Sequence, residues 1–174
     1  MNRLTPREWG LTAAAGALFA DQTAKLAILY GLGFHDRDDG YSLRLLPFFN
    51  LTMHRNPGIS FGFFPAHGLA GTAILAALSV AAILGLGLWL WNSWRLGLAV
   101  GLGLVIGGAL GNLIDRVIYG KVADFFDFHA MGYHWYVFNL ADCAITLGVA
   151  ALVYDAFFRP EAGPDANRQA GAEE

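Results

Sequence analysis

Residues 69–91, LAGTAILAALSVAAILGLGLWLW, hold no charge and no proline. About 20 such residues are what a helix needs to cross the hydrocarbon core of a bilayer. Three further segments come close: 9–30, which holds Asp21 and Lys25; 96–114, uncharged until Asp115; and 135–158, which holds Asn139, Asp142 and Asp155. A backbone in lipid must satisfy its own hydrogen bonds, so all four are expected as helices. Composition agrees: 14% of the 174 residues are charged, against about 25% in an ordinary soluble domain. The expected fold class is an all-α integral membrane protein with four transmembrane helices. Residues 1–159 form one membrane-embedded domain, and the polar, Pro/Gly/Ala-rich stretch 160–174 reads as a disordered tail.

The remaining segments fill in this frame. Arg3 and Arg7 precede the first apolar run in the manner of a signal peptide, but the run continues past Asp21 to Tyr30. That is too long for a cleavable core, so the segment reads as an uncleaved span. Four spans put both termini on one side. Cations divide five and five between the sides, but Arg95 in the short 92–95 turn, with Arg3 and Arg7, favours cytoplasmic termini. Segment 31–68, aromatic and broken by Pro47, Pro57, Gly58 and Gly62, reads as short strands and turns at the outer interface: a small extracytoplasmic β-sheet and loop region. Gly103 and Gly107 have the small-xxx-small spacing of closely packed membrane helices.

A net charge of −3 leaves no basic stripe for nucleic acid. Cys143, the single cysteine, allows no internal disulfide; following Asp142 on a helix, it reads as core. The chemistry lies in the polar residues that interrupt apolar runs. Asn112 and Asp115 sit at the outer end of the third span, beside Arg116; Asn139 and Asp142 repeat the spacing at the start of the fourth. Asp124 and Asp127 fall in the 115–134 connection, where Asp127 reads as a solvated loop residue. Asp21 and Lys25, four apart, share a helix face and compensate each other. Ionisable groups at membrane depth are costly unless paired, so they are candidate site residues. All five histidines lie in or beside loops and the only serine inside a span is Ser79, so a serine–histidine hydrolase lacks its parts. Paired carboxylates remain: two close together share a proton and can deprotonate a water. A divalent cation would want more acids or carbonyls than are offered, so neither metal nor other cofactor is expected.

The segments DQTAK (21–25), NPGISFGF (56–63), GGALGNLIDR (107–116), VADF (122–125) and FNLADCAI (138–145) together resemble the ordered motif set of bacterial lipoprotein signal peptidase, signal peptidase II. The resemblance implies a metal-independent aspartic endopeptidase of the inner membrane. Such an enzyme removes the signal peptide of a prolipoprotein just before a diacylglyceryl-modified cysteine. It implies Asp124 and Asp142 as the catalytic dyad, with Asp21, Lys25, Asn56, Gly58, Asn112, Asp115, Arg116 and Asn139 supporting or binding substrate. Implied partners are lipid-modified prolipoproteins and membrane lipids, with the chain monomeric. Two positions depart from the family pattern, Ala123 for a usual valine and Cys143 for a frequent serine. The residues alone would pair Asp142 with Asp115, by the symmetry of the two Asn-x-x-Asp segments; the resemblance substitutes Asp124. The turn RNPGIS is expected to leave the Asn56 amide free for a peptide, and Arg116 to donate to substrate carbonyls. An ion-coupled transporter is the rival reading, but it needs polar residues through to the cytoplasmic side, and spans two and three have almost none there. A non-catalytic scaffold would give the acids no reason to cluster at one depth.

Overall fold

The computed structural model describes residues 4–58 and 68–158. The expected tail at 160–174, Arg3, Arg159, Arg168 and the end of the 56–63 motif lie outside the described residues. Four α-helices, α1 (Pro6–Leu26), α2 (Gly68–Trp91), α3 (Leu96–Tyr119) and α4 (Leu140–Phe158), are joined by strands β1 (Ser42–Leu46), β2 (Phe49–Asn56), β3 (Val122–Ala130) and β4 (Tyr133–His134). The fold is thus mostly helical with one small antiparallel sheet, in the order β1-β2-β3-β4.

Helices α2, α3 and α4 are each long and apolar enough to cross a membrane. The outermost of them, α2, leaves Leu69, Ile74, Leu78, Leu84 and Leu88 exposed. An apolar surface all round a helix is what lipid tolerates and water does not. Arg7, Glu8, Asp21 and Lys25 interrupt the apolar run of α1, which packs along α3. Its start is fixed by a capping box: Thr5 Oγ1 accepts from Glu8 N at 3.3 Å, Glu8 Oε2 from Thr5 N at 2.7 Å, and Pro6 occupies the first helical position.

Helix α3 is the central element because glycine removes the side chains that would hold its neighbours away. A methyl group on Gly103 or Gly107 would overlap the backbone carbonyl of Gly10 or Ala14 on α1; one on Gly108 would overlap that of Ala141 on α4. The small-xxx-small pair therefore faces α1, as its spacing suggests. Below these contacts Ala99, Leu102 and Ile106 form a dry core with Ala14 and Leu90. At the far end Arg95 Nη2 meets Asp155 Oδ1 at 2.9 Å, and the Arg7 guanidinium lies 4.1 Å from the centre of a Trp91 ring.

Four expectations are corrected. Helix α3 runs on to Tyr119 instead of ending at 114, stopping where Gly120 takes the left-handed conformation (φ 71°) and caps onto Arg116 O at 3.0 Å. Helix α4 begins at Leu140 instead of 135, because Phe138 is bridged to Phe126 of β3. The sheet is not confined to 31–68: β2 pairs with β3, so Asp124 lies on a strand, opposite His54. Asp127 is not solvated. It is buried, accepting from Asn50 at 3.2 Å, Thr52 at 2.9 Å and His134 at 2.8 Å.

Candidate active site

Residue alternation along β3 sends Ala123 and Phe125 into a core with Phe34, Leu51 and Met53, and Asp124 to the opposite side. A bulge in β2 between Leu51 and His54 adjusts the register there. Phe126 N donates to Phe138 O at 2.8 Å and Phe138 N to Phe126 O at 3.2 Å. This bridge stitches β3 to the residues just before α4 and brings Asp124 to the helix start.

Asn139 occupies the N-cap of α4. Its Oδ1 accepts from Asp142 N at 3.0 Å, while Asp142 Oδ2 accepts from Asn139 N at 3.4 Å. The pair forms a reciprocal capping box, with aspartate in the third position. The Asn139 side-chain amide reaches Asp124 Oδ1 at 2.6 Å and Asn112 Oδ1 at 3.1 Å. Asn112 Nδ2 donates to Asp142 Oδ1 at 3.0 Å. Asn139 therefore touches both carboxyls, Asp124 through its side-chain amide and Asp142 through its backbone N–H, while Asn112 links the Asn139 amide to Asp142.

Asp124 is fully buried. Burial, and next the Asp142 carboxylate, push its pKa up to about 8, against the pull of hydrogen bonds from Asn56 and Asn139. The expectation of a free Asn56 amide is corrected: Nδ2 donates to Asp124 Oδ2 at 3.0 Å and Tyr136 Oη at 2.9 Å, and Oδ1 takes Gly58 N at 2.9 Å. Pro57 and Gly58 build an Asx turn that aims the amide at the carboxyl. Arg116 donates to carbonyls of its own chain, Gly58 O at 2.8 Å and Asn112 O at 3.3 Å.

Beneath these groups Lys25 Nζ bridges Asp21 Oδ2 at 2.9 Å and Asp115 Oδ2 at 2.8 Å, and donates to Asn112 Oδ1 at 3.3 Å. All four residues are buried. Each carboxylate also grips a backbone N–H beside a candidate aspartate: Asp21 Oδ1 takes Ala141 N at 2.9 Å, and Asp115 Oδ2 takes Ala123 N at 3.1 Å. All ten residues singled out from the sequence thus belong to one connected network. Two members were missed: Gln22, whose amide reaches Asp21, Gly111 O and Asp115, and Tyr136. Gln22 lies inside the DQTAK segment and could have been found there; Tyr136 gives no signal by itself. Among the described residues no three His, Cys, Asp or Glu side chains converge as metal ligands.

The chain as a whole has counterparts among known proteins. The family model for signal peptidase (SPase) II matches residues 13–158. The chain belongs to the signal peptidase II family. Relatives described as lipoprotein signal peptidase include one from Beijerinckia indica subsp. indica, 48% identical over 160 residues and covering 92% of this chain and 94% of the relative. Another, from Nitrobacter hamburgensis, is 45% identical over 163 residues, covering 91% and 98%. A solved bacterial membrane enzyme, determined by the in meso method at 2.3 Å, superposes with a TM-score of 0.70 at 28% identity, over 88% of this chain and 93% of that one. Membership of the signal peptidase II family makes this chain one of a group of membrane proteases. Beside Asp142, Trp135, Phe138, Cys143, Thr146 and Leu147 line a largely apolar groove of about 410 Å³.

Proposed function

We propose that the chain is an aspartic endopeptidase of the bacterial inner membrane that removes the signal peptide from diacylglyceryl-modified prolipoproteins, cutting just before the lipidated cysteine. The observation that carries this reading is the short hydrogen-bonded chain Asp124–Asn139–Asn112–Asp142, which joins the two buried carboxyls. Helix α1 crosses the membrane as a fourth span, the termini are cytoplasmic, and the monomer works at the outer face.

Asp124, protonated at neutral pH, hydrogen-bonds the scissile carbonyl and polarises it. Asp142 takes a proton from the attacking water, and the roles reverse when the amine leaves. Asn56, Asn112 and Asn139 hold both carboxyls in place, so little reorganisation accompanies the reaction. The apolar groove beside Asp142 suits the hydrophobic part of a substrate arriving from lipid. Against the transporter, the contacts of α3 between this network and Arg95–Asp155 run through glycine, alanine and leucine, which offer no relay for protons.

The test is incubation of the purified protein with a diacylglyceryl-modified prolipoprotein, read by mass spectrometry. One cut immediately before the lipidated cysteine is expected, with chelators having no effect. An intact substrate in every detergent and lipid mixture would remove the peptidase reading.

A further inference from the structure

A second cavity lies on the side of β3 away from Asp124. It measures about 250 Å³ and is lined by Leu29, Met53, Val122 and Ala123 below, and by Tyr30, His35, Arg55, Tyr119 and Lys121 around it. The apolar floor is buried, whereas Tyr30 and Tyr119 are half exposed, their hydroxyls 3.3 Å apart. These tyrosines stand just beyond α1 and at the last residue of α3, where a helix leaves the hydrocarbon. Tyrosine favours that level because it has an apolar ring and a polar tip.

Among the described residues no carboxylate lines the cavity, yet two permanent cations do. Asp36 and Asp39 stand outside it, mostly exposed, beside His35 and His54. Arg55 uses Nη2 for its bonds to His35 O and Arg37 O, at 3.0 and 2.9 Å. Asp39 Oδ1 accepts from Arg55 N at 2.6 Å, but neither the Arg55 guanidinium nor exposed Lys121 has a salt bridge among the described residues. A pocket with an apolar floor, tyrosine hydroxyls and two such cations at the membrane surface matches one ligand class.

We propose that this cavity binds an anionic phospholipid of the outer leaflet. Lys121 and Arg55 take its phosphate, the tyrosine hydroxyls its ester or glycerol oxygens, and the apolar floor the first acyl carbons. The site is separate from the carboxylate network and would exist whether or not the chain cleaves lipoproteins. It also lies directly behind the strand that carries Asp124.

The test uses the full chain purified in a mild detergent, with native mass spectrometry counting bound phosphatidylglycerol against phosphatidylcholine of identical acyl chains. Preferential retention of phosphatidylglycerol is expected, weakened about fivefold by Lys121→Gln and reduced by Tyr119→Phe. Arg44→Gln, an exposed charge on β1 outside the cavity, should leave retention unchanged. Lys121 is exposed, so its variant should melt like the parent chain. Equal retention of the two lipids, no effect of Lys121→Gln, or an equal loss in Arg44→Gln overturns the proposal. Displacement by inorganic phosphate at the lipid's own concentration overturns the assignment to a lipid.

Discussion

Asn112-x-x-Asp115 and Asn139-x-x-Asp142 have the same spacing and touch in space, yet they do different work. The first lies inside α3, where residues three apart share a face; the second straddles the start of α4, where that spacing closes a capping box. Asn112 and Asn139 meet, at 3.1 Å, whereas Asp115 turns inward to Lys25 and Asp142 toward the groove. Identical spacing in sequence therefore does not make equivalent carboxylates. What decides their roles is a third element, β3, which delivers Asp124 between the two pairs.

The largest expected effect breaks the symmetry outright. Asp124→Asn and Asp142→Asn should each lower cleavage by on the order of 10⁴-fold with folding intact, and the double variant should be little worse, because the two act as a unit. Asp115→Asn should retain partial activity. A folded, inactive Asp115→Asn beside an active Asp124→Asn would restore the symmetric pair as the reacting one.

Next in size is the loss of what Asp115 serves. Lys25→Met leaves Asp21 and Asp115 buried without their shared cation, and removing one partner of a buried pair costs about 3–5 kcal/mol. A marked drop in the melting temperature in detergent is expected. Because Asp21 and Asp115 grip Ala141 N and Ala123 N, any Lys25→Met that still folds should be poorly active. Unchanged melting would show that the buried triad contributes little to the fold.

A smaller effect is a shift along the pH axis. The Asp124 carboxyl titrates at about 8 in the folded chain, against about 3.9 when unfolded. The folded state then binds the extra proton between those values, so stability falls as pH rises from about 4 to about 8. Activity should share the alkaline limb near pH 8, with apparent values belonging to the pair. Asn56→Ala removes a hydrogen bond that favours the carboxylate, so the limb should move to higher pH. A limb that stays put would mean Asn56 does not hold Asp124.

The helices were legible in the sequence because uninterrupted apolar runs allow few alternatives. Those members of the polar network that interrupt or end apolar runs, Asp21, Lys25, Asn112, Asp115, Asn139 and Asp142, were legible too, since polar groups there must find partners. Asp124 as the partner of Asp142, and Asn56, came only with the resemblance. Strand β3 was not legible. VADFFDFHA puts Asp124 and Asp127 three apart, one on each face of a strand, so neither face reads as an apolar stripe and the segment resembles a loop until both are seen to be satisfied. Nor could the sequence foretell that Asn56 would spend its amide on Asp124, because the two meet only when β2 and β3 pair across 68 residues of chain.

The smallest effect compares the two aspartates of β3. Bonds from His134, Thr52 and Asn50 outweigh burial and hold the Asp127 pKa below its usual value. Its contribution to stability is thus present above the ordinary carboxylate pKa and lost as pH falls through the folded one. Half-exposed His134 screens poorly from solvent, so His134→Ala should cost no more than about 1 kcal/mol and leave cleavage unchanged. Loss of cleavage would bring Asp127 into the site.

The bridge between Phe126 and Phe138 has a consequence for biosynthesis. Strand β2 emerges before α2 and α3, and its partner β3 only after both, so the sheet waits for a helical hairpin to enter the bilayer. Asp142 comes later still, on the last helix, and joins Asp124 only when the bridge closes. A nascent chain therefore holds no assembled carboxylate pair until α4 has been made. The order of the elements alone thus sets when the two carboxyls can meet.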